Sequence, residues 1–280
     1  MNEEHFAGID IGSTMTKVVI MNESVAASFI GPTGAEYRRL ANKVMEEALR
    51  KADLSFDQIT YVVATGYGRI SVPFADKQIT EITCHARGVD FVFPSAKTVI
   101  DIGGQDSKGI KLNSGKVVDF VMNDKCAAGT GRFLEVIAEA LGIKLGELGE
   151  ISLRSQQPVE ISNTCTVFAE QEVGARLAEG VSVEDIVAGI HDGIASRVSS
   201  MVARISVQAD VVITGGGAKN IGLVKALERR LGHHVLVPTE PLLTGAIGAA
   251  LLGKELSRKM TTEERTMRKE RRLEEATFFS

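Results

Sequence analysis

Two stretches of the chain share one rhythm of apolar and polar positions. In "AGIDIGSTMTKVVIMNESVAASFI" (7–30) an apolar run ends at Asp10, a Gly/Ser/Thr turn follows, and two further apolar runs flank the polar turn "NES". In "TVIDIGGQDSKGIKLNSGKVVDFVM" (98–122) the same order returns around Asp101, with "NSG" as the second turn. Short β-rich runs separated by two to four turn residues predict three-stranded meanders. The tetrapeptide "IDIG" occurs at 9–12 and again at 100–103. Two meanders, each followed by helical segments, predict two α/β lobes related by duplication.

Between and after the meanders the period changes. "GAEYRRLANKVMEEALRKA" (34–52) places apolar residues at helical spacing, and "ITYVVATGYG" (59–68) is a strand running into a glycine loop. Helices are expected at 131–141, 166–179, 183–206, 218–231 and 243–258. "ADVVITGGGAKN" (209–220) has the pattern of a buried strand, a triple-glycine turn and a helix start. These elements place the first lobe at 1–95 and the second at 96–240, with a helix around 241–258 packing back on the first. The charged tail, 254–280, pairs Glu255 with Lys259 and Glu264 with Arg268 at i,i+4 and is expected as an exposed helix.

Composition narrows the classes. The 280 residues are 44% hydrophobic and 24% charged, with a net charge of −4 and both signs interspersed. No basic field points to nucleic acid. No apolar run approaches the ~18–20 residues that span a bilayer, and the start "MNEEHFAGID" has no signal-peptide pattern. Three cysteines do not make a disulfide framework, so a reducing, cytoplasmic setting is expected.

Three glycine turns follow strands: "DIGST" (10–14), "DIGGQD" (101–106) and "TGGGAKN" (214–220). Glycine lets backbone amides approach a phosphate closely, and clustered amides favour anions. Gly12, Ser13, Thr14 and Lys17 would serve the first turn, Gly103 and Gly104 the second, and Gly215, Gly216, Gly217, Lys219 and Asn220 the third. Asp10 and Asp101 would face each other across a cleft and hold Mg²⁺ through water. One such turn is as consistent with a plain hairpin; three in duplicated context point to a nucleotide. Neither a Walker A sequence nor a dinucleotide fingerprint is present.

The order "GIDIGSTMTKVVI", "VIDIGGQDSK", "VVITGGGAKN" resembles the phosphate-1, phosphate-2 and adenosine motifs of the actin, sugar kinase and heat-shock chaperone superfamily. Within it, "NDKCAAGTGRFLE" and "ISNTCTVFAEQEV" are similar to the BadF/BadG/BcrA/BcrD ATPase branch, over roughly residues 6–253. That branch holds activators of 2-hydroxyacyl-CoA dehydratases and ATP-binding subunits of benzoyl-CoA reductase. "ATGYGRISVPFADKQITEITCHARG" and "TGAIGAALLG" fit it as well. The resemblance implies a duplicated ribonuclease H-like α/β fold, two lobes with an ATP cleft between them. It also implies that Cys126 and Cys165 of each subunit ligate one 4Fe–4S cluster shared across a dimer. The second subunit would be identical or a paralogue, a ferredoxin or flavodoxin the electron donor, and a CoA-thioester dehydratase or reductase the acceptor. Gln105 would orient the attacking water.

The bare residues agree with part of this. Cys126 and Cys165 are read as standing just ahead of helices, where amide dipoles favour an anionic cluster. From spacing alone, a buried thiol is the commoner role of such a cysteine. Cys84 lies in a helix interior as a small hydrophobe, beside a structural His85. Arg132 and Glu135 suit a ribose contact or a solvated helix face equally, and Glu170 and Glu172 suit helix-dipole stabilisation. The rival classes are a small-molecule kinase, with Asp106 or Asp119 as spare base, and a filament or chaperone-like ATPase, which has no use for the two cysteines.

Overall fold

The computed structural model describes residues 3–161, 165–260 and 272–273. In chain order the elements are β1 (His5–Ile11), β2 (Met15–Met21), β3 (Val25–Pro32), α1 (Tyr37–Ala52), β4 (Ile59–Thr65), β5 (Lys77–Gln78) and α2 (Glu81–Val92). There follow β6 (Thr98–Ile102), β7 (Ser107–Asn113), β8 (Lys116–Asn123), α3 (Gly131–Leu141), α4 (Leu148–Ser152), α5 (Thr166–Ala178) and α6 (Val183–Val202). The last are β9 (Val211–Thr214), α7 (Ile221–Leu231), β10 (Val235–Leu236) and α8 (Thr244–Lys259). The described residues form two compact units. Unit one takes the chain before residue 95, the turn at 114–116 and everything from Leu242 on; unit two takes 95–113 and 117–241.

Both units are built on one sheet plan. Unit one orders its strands β3-β2-β1-β4-β5 and unit two β8-β7-β6-β9-β10. In each, the central strand pairs antiparallel with the next strand and parallel with the fourth of its sheet. Being flanked on both edges and covered on both faces, these strands carry near-continuous apolar sequence, as in "TVIDI" of β6, buried throughout. The outermost strands, β5 and β10, have only two residues each, which leaves little free edge for another chain.

In unit one, α1 buries Ala41, Val44, Met45, Ala48 and Leu49, the i, i+3, i+4, i+7, i+8 stripe of a helix lying on a sheet. On α8, Ala246, Ala249 and Ala250 are buried, and the helix packs on β1 and α2. In unit two, Ile100, Ile102, Val211 and Ile213 of the sheet pack against Phe133, Leu134, Ile190 and Leu227 of the helices. Each fully buried aliphatic side chain contributes roughly 1.5–3 kcal/mol.

The predicted meanders and most helix ranges match. The helix expected at 183–206 ends at Val202, and Ala203–Ile205 form a 3-10 turn. That expected at 218–231 begins at Ile221, because the Asn220 side chain accepts the Leu223 amide at 3.0 Å and sets the start there. Of the expected tail helix, α8 carries the part to Lys259; residues 261–271 and 274–280, with the Glu264–Arg268 pair, lie outside the described residues. Glu255 accepts from Arg87 Nε of α2 at 2.8 Å, an ion pair between helices. Among the described residues no helix is long and apolar enough to cross a membrane.

Candidate functional site

The chemistry collects where the central strands end. In unit two, Asp101 is 4% exposed near the end of β6. Thr214, its neighbour in the β6–β9 register, donates from Oγ1 to Asp101 Oδ1 at 2.9 Å. Lys108, opposite it on β7, places Nζ 3.6 Å from Asp101 Oδ2 and 2.6 Å from Asp106 Oδ2. An ammonium between two carboxylates in a buried setting keeps both charged without a cost that water would otherwise have to meet. The turn closes through Gly103 N to Asp106 O at 2.9 Å, with Gln105 exposed at its tip.

Unit one repeats the plan. Asp10 is buried near the end of β1, and Lys17 opposite it on β2 donates to Oδ2 at 2.9 Å. Gly12 N reaches Met15 O at 3.1 Å, closing a turn that carries Ser13 and Thr14. Thr65 is buried beside Asp10 in the β1–β4 register. After Thr65 and after Thr214 the chain must bend past the aspartate, and Gly66 and Gly215 do so at φ of 82° and 79°. A Cβ there would stand 2.3 Å from Asp10 Oδ1 or 2.8 Å from Asp101 Oδ1, so both positions require glycine. Of the other residues expected in the third turn, Gly216 and Lys219 are exposed and Gly217 is buried. The Asn220 amide nitrogen donates to His191 Nε2 at 2.9 Å, so that side chain serves the helix start.

The cysteines divide by unit. Cys84 is fully buried on α2, and burial pushes its thiol up to about 12, with the negative charge of Asp10 adding to the shift. His85 is buried, with Nδ1 3.0 Å from Thr244 Oγ1. Cys126 and Cys165, both in unit two, are exposed. The helix-start reading needs correction for one of them. Cys165 is the N-cap of α5, whereas α3 is capped by Thr130, so Cys126 stands four residues before the cap, in the loop after β8. A dipole falls off within a turn, so it serves Cys165 alone. The positive group at Cys126 is Arg197 of α6, whose Nη1 lies 3.6 Å from the sulfur. Asn123 steadies the loop, donating to the carbonyls of Cys126 (2.9 Å) and Ala128 (3.1 Å).

Arg132 and Glu135 pair with each other at 3.0 Å along α3, and Glu172 lies 4.0 Å from Arg176 on α5. Glu170 is exposed on the same helix. Of the two spare aspartates, Asp106 is ion-paired to Lys108 and Asp119 is exposed on β8, accepting from its own neighbour Phe120. Among the described residues no group of three or more His, Cys, Asp or Glu side chains is arranged to hold a metal ion. Sequence reasoning missed Lys108, Thr65, Gly66 and Thr214. The signal was present: a lysine seven residues after each aspartate, and "TGYG" answering "TGGG".

Two copies of one sheet, each with a buried aspartate, a cross-strand lysine and glycine turns at the ends of its strands, define the duplicated ATPase fold of actin and the sugar kinases. Residues 7–253 match the BadF/BadG/BcrA/BcrD ATPase family, and the chain belongs to it. It is 52% identical over 252 residues to the 2-hydroxyisocaproyl-CoA dehydratase activator of Clostridioides difficile, covering 87% of this chain and 92% of that one. The structure of that activator with bound ADPNP superposes with a TM-score of 0.86, covering 91% and 96% of the two chains. Identity to the (R)-2-hydroxyglutaryl-CoA dehydratase activating ATPase of Acidaminococcus fermentans is 47% over 253 residues, 87% of this chain and 95% of the other. A benzoyl-CoA reductase chain of Thauera aromatica is more distant, 34% over 261 residues, 88% and 92%. A ROK family glucokinase from Streptomyces griseus, at 13% identity and a TM-score of 0.55 over 90% and 99%, shares the fold alone.

Proposed function

We propose that this chain is the ATP-hydrolysing activator of a 2-hydroxyacyl-CoA dehydratase, coupling hydrolysis to delivery of one low-potential electron. The carrying observation is that unit two combines a phosphate-type turn on a buried Asp101–Lys108 pair with two exposed thiols, Cys126 and Cys165. The greater identity to dehydratase activators (52% and 47%) than to the benzoyl-CoA reductase chain (34%) supports the dehydratase as acceptor. A ferredoxin or flavodoxin would be the donor.

In this reading the amides of the Gly12–Thr14 and Gly103–Gln105 turns receive phosphate oxygens, with Lys17 adding charge. Gly215–Gly217, with Lys219 beyond, would lie against the nucleoside. Asp10 and Asp101 hold Mg²⁺ through its waters, each carboxylate already fixed by its lysine, and Gln105 orients the attacking water. Cys126 and Cys165 would be the ligands of a 4Fe–4S cluster, which when bound supplies a one-electron carrier. The thiols fit that group: both are exposed, one beside a guanidinium and one at a helix start. Two ligands per chain make four only in a pair of chains, identical or paralogous.

The test is iron and acid-labile sulfide per chain, with native mass, on anaerobically purified protein. About one 4Fe–4S centre per two chains is expected, lost on Cys126→Ser or Cys165→Ser and kept on Cys84→Ser. Iron-free protein from anoxic, iron-replete cells would overturn the reading.

A further inference from the structure

The phosphate-type turn of unit two is bonded to the cysteine loop at three points. Gly131 N and Arg132 N, the first amides of α3, donate to Gly103 O and Gly104 O, each at 2.8 Å. The hydroxyl of Ser107, the buried first residue of β7, donates to Gly129 O. Gly131 is where the approach is tightest: a Cβ would meet Gly103 O at 3.1 Å and the Gly104 Cα at 3.3 Å.

These bonds do two things. In a trans peptide the C=O of one residue and the N–H of the next point in opposite directions. Fixing the carbonyls of Gly103 and Gly104 on α3 therefore aims the amides of Gly104 and Gln105 away from the helix, as phosphate donors must be. The helix-start amides that would otherwise bind an anion themselves are used to orient the turn. The second effect is on the loop. With Gly129 held by Ser107, Thr130 Oγ1 on Ala127 O at 2.7 Å and Asn123 on Cys126 O, residues 126–131 are bonded as one piece to the phosphate turn.

We infer that Ser107 and Gly131 are positioning residues that join nucleotide and cysteine in this ATPase. Gly131 sets the aim of the phosphate-binding amides, and Ser107 passes their displacement to the Cys126 loop. The inference rests on the nucleotide and cysteine assignments above, and neither residue is assigned a nucleotide or metal contact.

The experiment is hydrogen exchange by mass spectrometry on the full chain, with and without Mg·ADPNP, alongside calorimetric ADPNP affinity. In the wild type, ADPNP should slow exchange across 124–132 by about tenfold, an opening equilibrium shifted by the ligand. Ser107→Ala should bind ADPNP as the wild type does yet lose that response, and Ser107→Thr, which restores a hydroxyl, should recover it. Gly131→Ala should weaken ADPNP about tenfold although its added methyl faces α3's side of the turn. A wild-type loop indifferent to bound ADPNP, a full response in Ser107→Ala, or unchanged affinity in Gly131→Ala would each overturn the proposal. If wild-type protein fails to bind ADPNP at all, calorimetry shows it directly; the phosphate-site reading then falls and takes the proposal with it.

Discussion

In unit one, Asp10 has Lys17 opposite it, and β3 leads through a short turn into α1. In unit two, Asp101 shares Lys108 with Asp106, accepts the Thr214 hydroxyl, and β8 opens instead into the loop that bears Cys126. The hairpin hydroxyl occupies the same register position in both, Thr16 opposite Ile11 and Ser107 opposite Ile102. Each reaches just past the third strand: Thr16 Oγ1 lies 2.8 Å from Thr33 Oγ1, and Ser107 bonds Gly129. Thr33 N also returns to Thr14 O at 2.8 Å, as Gly131 N does to Gly103 O. The duplicated frame thus anchors whatever follows its third strand, a helix entry in one copy and a cysteine loop in the other. Specialisation has come from what was inserted at a pre-existing anchor, with the anchor itself retained.

The comparison can be broken most decisively at the thiols. At pH 8 a thiol held near 12 is ionised on the order of 10³-fold less than one near the ordinary 8.5, before burial is counted. Alkylation of the native, cluster-free chain should modify Cys126 and Cys165 and leave Cys84 intact until denaturant is added. Peptide mapping reads this, and rapid labelling of Cys84 would mean that α2 is not packed as described. Next in size is the third turn. Nothing lies within 4 Å of a Cβ at Gly216, whereas the corresponding residue of unit one, Tyr67, is 74% exposed. Gly216→Val should therefore keep its melting temperature yet bind ATP at least about a hundredfold more weakly, ~2.7 kcal/mol. Tyr67→Gly should leave affinity alone. Wild-type affinity in a folded Gly216→Val would remove this turn from the nucleotide site.

The lysines should differ by less. Lys108→Met leaves two carboxylates without their cation at a site 4% exposed and should cost roughly 3–5 kcal/mol in urea unfolding. Lys17, 12% exposed, serves one carboxylate, and Lys17→Met should cost ~1–2 kcal/mol. Equal losses would say that Asp106 adds nothing. The smallest effect is acid sensitivity in unit two. Burial lowers His191 to about 4, against the opposing pull of Asp192, while the unfolded chain titrates near 6.5. Above about 6.5 both states are neutral there. Between about 6.5 and 4 only the unfolded state takes the proton, so stability should fall by up to about 1.4 kcal/mol per pH unit as pH drops. Urea midpoints across that window should show the slope, and His191→Gln should flatten it.

The frame was legible because it is local: hairpins, glycine turns and helical stripes are written within tens of residues. Cys84 could be read for the same reason, as an interior position on an amphipathic helix. What escaped was long-range or geometric. Thr214 meets Asp101 across 113 residues, and only strand register puts them side by side. Arg197 reaches Cys126 from 71 residues away, and nothing in the spacing of α6 announces it. The glycine pair in "CAAGTG" suggested an early helix start at Cys126, but Gly129 adopts φ 91° and the helix waits until Gly131. Lys108 is written in the repeat itself, seven residues after its aspartate as Lys17 is, but it lies beyond the glycines where the two copies look most alike.

Unit one is assembled from both flanks of the chain, with α8 lying on β1 and α2 after unit two has intervened. During synthesis the order is therefore fixed by the ribosome. Strands β1 to β5 emerge first with the α8 face of their sheet bare, unit two can complete itself from nearly continuous sequence, and only then does α8 arrive to cover Val19 and Met21. The first half of this ATPase to be translated is the last to be finished. A nascent chain halted before Thr244 would display an apolar sheet face to the cell's chaperones.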